Sequence, residues 1–146
     1  MKTIVDSKYC NDQDYIAKII GLCDKSCDRF YRKQAKLFSE GTLAEGVLYI
    51  RSGKGKIVKT GPDHQEMIVR FVSEGDIIGL KSVITGENHS VSASAMEDMV
   101  VCFIPKDEFH ALLAKTPDLA GYLINCLSQS LQEAERRSAS MIYKND

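Results

Sequence analysis

Five cysteines and three histidines are the side chains of this 146-residue chain most able to do chemistry unaided, and their spacing decides which chemistry is open. Iron–sulfur clusters need converging thiolates, and haem iron takes an axial histidine or cysteine. Cys10, Cys23 and Cys27 invite the first reading. Cys23 and Cys27 would share a helix face, but Cys10 is remote, so these thiols read better as small buried residues or exposed thiols than as a cluster site. Cys102 falls in a strand-like run and Cys126 in a helical one, where core or interface packing accounts for them. His64, His89, His110 and Cys126 are formally available to haem, yet no local pattern singles one out. No metal or other cofactor is predicted. An odd number of scattered cysteines fits reduced thiols, not a disulfide framework. Catalytic motifs are absent: there is no nucleophile elbow, no Walker loop and no helical His-Glu-x-x-His. Gly53-Lys54-Gly55-Lys56 reads as a turn between strands, too little to claim phosphate binding. The chain is not predicted to be an enzyme.

The elements that position these residues follow from pattern. With 44% hydrophobic content the chain can build one complete core. A net charge of -1, from 19 basic and 20 acidic residues, attracts neither nucleic acid nor an anionic membrane. Met1 to Cys10 lacks the pattern of a signal peptide, and no apolar run is long enough to span a bilayer, so a cytoplasmic location is expected. Tyr15, Ile16, Ile19, Ile20, Leu22 and Cys23 recur at helical spacing after the capping residues Asn11 to Asp14. Cys27 to Tyr31 either extend that helix or pack it against the next segment. From Gln34 the texture changes to short β-branched runs punctuated by glycine, the rhythm of a sandwich or barrel. Gly61-Pro62-Asp63-His64 between two such runs reads as a hairpin turn.

After Pro105 the helical period returns. Lys106 to Leu113 make a short helix, and Thr116-Pro117-Asp118 starts a long one running to about Tyr143. Ala120, Ile124, Leu127, Leu131, Ala134, Ser138 and Met141 alternate by four and three along it, a coiled-coil seam with polar flanks. The expected organisation is one domain in three parts: a helical segment at 1–33, a β-roll at 34–105, and a short helix with a long dimerising helix at 106–146.

Helix, glycine-punctuated roll, short helix and seam helix, in that order, resemble the effector domain of the Crp/Fnr superfamily of transcription regulators. The motifs agree with the order. Leu37 to Gly41 followed by Val47 to Gly53 resembles the family's opening strand and Glu-Gly turn, and Lys59 to Glu66 resembles its hairpin. Gly75-Asp76-Ile77-Ile78-Gly79 resembles the lead-in to its phosphate-binding cassette, and Cys102 to Phe109 its last strand and the helix after it. The resemblance implies a fold that is mainly β, a cyclic-nucleotide-binding-like double-stranded β-helix or jelly roll with flanking helices.

It also marks where a ligand pocket would lie: Gly79, Leu80, Lys81, Ser82, His89, Ser90, Val91 and Ser92. Cyclic-nucleotide binders of the family place a glutamate on the ribose and an arginine on the cyclic phosphate here. Leu80 stands in place of the acid and His89 in place of the arginine. Leucine accepts no hydrogen bond, and histidine offers neither a fixed charge nor a bidentate fork. Where cyclic-AMP binders carry Thr-Ser after Leu-Gln, this chain has Glu133-Ala134. The resemblance with these departures predicts a pocket that no longer recognises cyclic AMP; Lys81, Ser82, His89, Ser90 and Ser92 could still surround a small anion.

Whole regulators of the family continue into a winged helix-turn-helix that reads DNA. This chain stops at Asp146, with Arg136 and Arg137 too few to hold DNA alone. The expectation is the effector and homodimerisation domain of a transcription regulator that meets DNA only through a winged helix absent from this chain. Two alternatives stay open: a stand-alone ligand or protein interaction module with no DNA role, and a cysteine-based redox or iron–sulfur sensor.

Overall fold

The computed structural model describes residues 13–23 and 27–144. The amphipathic run after Asn11 forms α1 (Gln13–Ile20), with Ile16 and Ile19 fully buried. The expectation of a helical segment reaching residue 33 is corrected by strand β1 (Asp28–Tyr31). β1 pairs antiparallel with β8 (Met99–Pro105), from Asp28 opposite Cys102 to Tyr31 opposite Met99. The pairing covers an edge of β8 that would otherwise be open. Side chains reinforce it: Asp28 Oδ1 accepts Arg51 Nε at 2.6 Å, and the Arg29 guanidinium lies 3.8 Å from the Phe103 ring centroid.

The remaining strands are β2 (Lys36–Phe38), β3 (Gly46–Ser52), β4 (Gly55–Thr60), β5 (Glu66–Val72), β6 (Ile77–Ile78) and β7 (Ser92–Ala95). They form two four-stranded antiparallel sheets, ordered β1-β8-β3-β6 and β2-β7-β4-β5. The jelly roll expected from the resemblance is therefore present. β4 and β5 form the hairpin read at Gly61-Pro62-Asp63-His64, where Asp63 and His64 take the left-handed conformation and Gly61 N–H donates to the Gln65 carbonyl at 2.8 Å.

The first sheet is the middle layer, which explains why β3 and β8 read as continuous apolar runs without polar alternation. Along β3, Val47 turns to the helices while Leu48 and Ile50 turn to the second sheet; along β8, Cys102 and Ile104 face the helices and Val101 the sheet. The helix-side core is closed by α1, α3 (Lys106–Lys115) and α4 (Pro117–Lys144), through Phe109, Leu119, Leu123 and Cys126. Tyr15 of α1 stacks on Tyr122 of α4 with ring centroids 4.7 Å apart. The Thr116 carbonyl accepts the first bonds of α4 from the N–H groups of Leu119 and Ala120. Among the described residues, no helix is long and apolar enough to cross a membrane.

Gly53, between β3 and β4, adopts φ +96, and an added Cβ would sit 2.5 Å from the Asp98 carbonyl oxygen. Both the backbone angle and the contact oppose a side chain there. Gly53→Ala is expected to lower unfolding free energy by about 2 kcal/mol or more in urea titration; an unchanged midpoint would contradict the tight turn.

Candidate functional site

The site is built where the second sheet meets the turn between β6 and β7. Gly75 takes φ +95 and turns the chain after β5. Asp76 locks that turn, its Oδ2 accepting the Ser73 N–H at 2.8 Å. Burial pushes the Asp76 carboxyl above its ordinary range, opposed by the Ser73 bond and by the charge of Arg70. Ile77 and Ile78 then split between the two cores, and Gly79, at φ +81, admits the chain to the short helix α2 (Leu80–Thr85). Left-handed backbone at Gly79 suits glycine above other residues. Gly86 closes α2, its N–H donating to the Ser82 carbonyl at 3.0 Å.

A cavity of about 210 Å³ opens beside this turn. Gly79, Lys81, Ser82, His89, Ser90 and Val91, all singled out from sequence, line it. Leu80 does not: it is 1% exposed and packs in the helix-side core with Ile77 and Val83. Ser92 is turned to another task, its Oγ accepting the Glu40 N–H at 2.8 Å. Of the seam residues, Leu127 reaches the cavity wall from α4. Ile124 and Leu131 point away from the fold, 60% and 61% exposed, and Ala120 is half-buried. The side chains of Ala134, Ser138 and Met141 lie outside the described residues.

His89 cannot stand in for an arginine. Its ring stacks on Phe38 with centroids 3.9 Å apart and planes 13° from parallel, and burial lowers its pKa, which keeps it neutral near pH 7. Its backbone is tied to the Ser39–Thr42 turn, His89 N–H to the Thr42 carbonyl at 2.9 Å and Gly41 N–H to the His89 carbonyl at 2.8 Å. Phe38 and His89 border both this cavity and a second one of about 310 Å³ that includes Arg29, Thr42 and Glu45, so the stacked pair forms the wall between them.

Cationic groups surround the first cavity by other means. Lys59 Nζ donates to the carbonyl of the lining residue Ser90 at 2.8 Å and meets Glu40 Oε2 at 3.2 Å. The Thr60 N–H and Lys59 together hold the Glu40 carboxyl below its ordinary range. Lys81 Nζ stands 3.5 Å from Ser90 Oγ. Inside, β5 contributes Arg70, opposite Ile57 in the hairpin register, with a buried Nη2 that meets no hydrogen-bond acceptor among the described residues. Sequence reasoning missed Arg70. The available signal was a lone cation at an alternate position of an otherwise apolar strand, Met67 to Val72.

The cysteines assemble differently from the iron–sulfur reading. Cys23 hydrogen-bonds with Cys102, and burial together with this contact pushes its thiol up to about 12. A thiolate ligand requires the opposite shift. Cys10 lies outside the described residues, and among those described no three acidic, histidine or cysteine side chains converge as a metal site.

The model of the family described as "Cyclic nucleotide-binding domain" matches residues 28–116. The chain is 27% identical over 107 residues to the cyclic AMP receptor protein of Thermus thermophilus, covering 73% of this chain and 50% of that one. It is 31% identical over 124 residues to the anaerobic regulatory protein of Haemophilus influenzae, covering 77% and 48%. The chain thus spans about half the length of the curated relatives it matches. Its fold superposes on the Thermus thermophilus catabolite activator protein with a TM-score of 0.75 at 22% identity, covering 89% of this chain and 60% of the other. The sensor domain of the regulator DNR from Pseudomonas aeruginosa gives 0.70 at 21% identity, covering 86% and 82%.

A histidine whose folded pKa lies below its unfolded value of about 6.5 contributes stability that is fully present above that value and is lost as pH falls through the folded pKa. Native chain should therefore lose more melting temperature than His89→Phe between pH 7 and pH 5, the phenylalanine keeping the stack on Phe38. Parallel melting curves for the two proteins across that window would contradict a buried neutral His89.

Proposed function

The chain is a Crp/Fnr-type member of the cyclic nucleotide-binding domain family, and we propose that it is the effector and dimerisation half of a cytoplasmic transcription regulator whose pocket has lost cyclic-AMP recognition. The observation that carries the reading is the double use of α4. Its Leu119, Leu123 and Cys126 are buried against the roll, whereas Ile124 and Leu131, one face round, are left in water. Such a stripe on a long helix finds its natural cover in the same stripe of a second copy.

Leu127 joins the two roles. It belongs to the outer seam by spacing and to the cavity wall by contact. A ligand touching Leu127 would bias how two α4 helices pack, and any reader carried beyond them would move with the helices. The domain binds and transmits; it does no chemistry on its effector.

Loss of cyclic-AMP recognition is supported by the side chains at the positions a nucleotide would need. Leu80 is committed to the core, His89 is neutral and stacked, and Glu133 and Ala134 stand where base-contacting hydroxyls are expected. DNA contact would belong to a winged helix encoded beyond Asp146. An open reading frame for one supports this role, and a native stop codon at that point removes it from this chain.

Sedimentation velocity at micromolar concentration checks the seam. Native chain should sediment as a dimer, and the double variant Ile124→Glu with Leu131→Glu as a folded monomer, since both side chains are exposed in the single subunit. A monomeric native protein, or a variant that remains dimeric, would count against the proposal.

A further inference from the structure

The cavity has apolar walls, Phe38, Ile57, Val69, Ile78, Val91 and Leu127, with a cation set inside them. Arg70 brings that charge from β5, an element outside the cassette turn. A buried guanidinium N–H without an acceptor is costly unless something else supplies the acceptor. Asp76 feels the charge of Arg70, but it forms neither a hydrogen bond nor an ion pair with it, and Nη2 is left without an acceptor among the described residues. Lys81 stands at the opening with its Nζ toward Ser90 Oγ, and Ser82 offers a hydroxyl from α2. The planar fork of an arginine matches two oxygens of one carboxylate or phosphate.

Size limits what can carry those oxygens. At about 210 Å³ the cavity lies below the roughly 300–1,000 Å³ of ordinary ligand pockets. Resting on the reading of this chain as an effector domain, we infer that the cavity takes a small organic oxyanion with an apolar body, its carboxylate or phosphate held by Arg70 and Lys81 and its body against Leu127. The charge comes from β5, the strand across the cavity from the turn in which His89 stacks on Phe38. The apolar body, not the charged head, would then report occupancy to α4.

Thermal-shift titration of the full chain with hexanoate, its neutral analogue hexanamide, and phenyl phosphate tests this. Hexanoate or phenyl phosphate should raise the melting midpoint saturably, and hexanamide should not. Arg70→Gln should weaken the responding anion at least tenfold, and Arg70→Lys, which keeps charge without the fork, should weaken it less. Without ligand, Arg70→Gln should melt no lower than native chain, because it replaces a charged guanidinium whose buried Nη2 has no acceptor among the described residues with a shorter, neutral amide. Absence of a shift with both anions, a shift that persists in Arg70→Gln, or an unliganded Arg70→Gln that melts far below native would each overturn the site. The same samples are sedimented: a dimer that binds neither anion defeats this inference alone, whereas a monomer defeats the functional reading beneath it.

Discussion

Strands β3 and β8 bury both of their faces. Val47, Cys102 and Ile104 are pressed into the helices, while Leu48, Ile50 and Val101 are pressed into the second sheet. A sheet so placed must be covered on both sides, since each large aliphatic side chain left in water forgoes about 1.5–3 kcal/mol. One cover is the second sheet, which completes the roll. The other is the helix layer, and α4 supplies Leu119, Leu123 and Cys126 to it. Helix α4 is thereby fixed against the roll along its inner face, and its phase is no longer free. Given that phase, Leu127 is brought to the cavity and Ile124 and Leu131 to the outside.

That constraint puts one helix, α4, both in the cavity wall, through Leu127, and under the exposed stripe of Ile124 and Leu131. The cavity lies between the hairpin of β4 and β5, the cassette turn and α4, so whatever fills it touches a helix whose opposite face carries the exposed Ile124 and Leu131. The electrostatics fit the same geometry. His89, buried and stacked on Phe38, is part of a wall, and positive charge is brought to the cavity by Arg70 and Lys81. The scaffold shares its shape with its relatives, at a TM-score of 0.75 with the catabolite activator protein of Thermus thermophilus.

Much of this was legible from residues. Glycine-bounded β-branched runs marked the strands, Gly61-Pro62-Asp63-His64 the hairpin, and Thr116-Pro117-Asp118 the start of α4, because each depends on local backbone preference. β1 was not legible: Asp28-Arg29-Phe30-Tyr31 has no pattern of its own, and its strand form comes from pairing with β8, far along the chain. Within the site, the cassette glycines and the departures at Leu80 and His89 could be read by resemblance. The direction of Leu80 could not, since so short a helix sets no period from which to tell its faces. Arg70 was hidden for a related reason: the inward side of β5 depends on its register with β4, which shifts between Ile57 and Val58. Seam spacing named Leu127 but gave no sign that it also lines the cavity, because the inner face of α4 is defined only by the roll beneath it.

The central claim is that the family's scaffold persists here with its nucleotide chemistry removed, and calorimetric titration of cyclic AMP into the native chain tests it most directly. With no carboxylate for the ribose, no arginine in the cassette for the cyclic phosphate, and no Thr-Ser pair on α4, the account predicts no saturable heat up to millimolar nucleotide. A saturable one-to-one isotherm with a micromolar dissociation constant would contradict it.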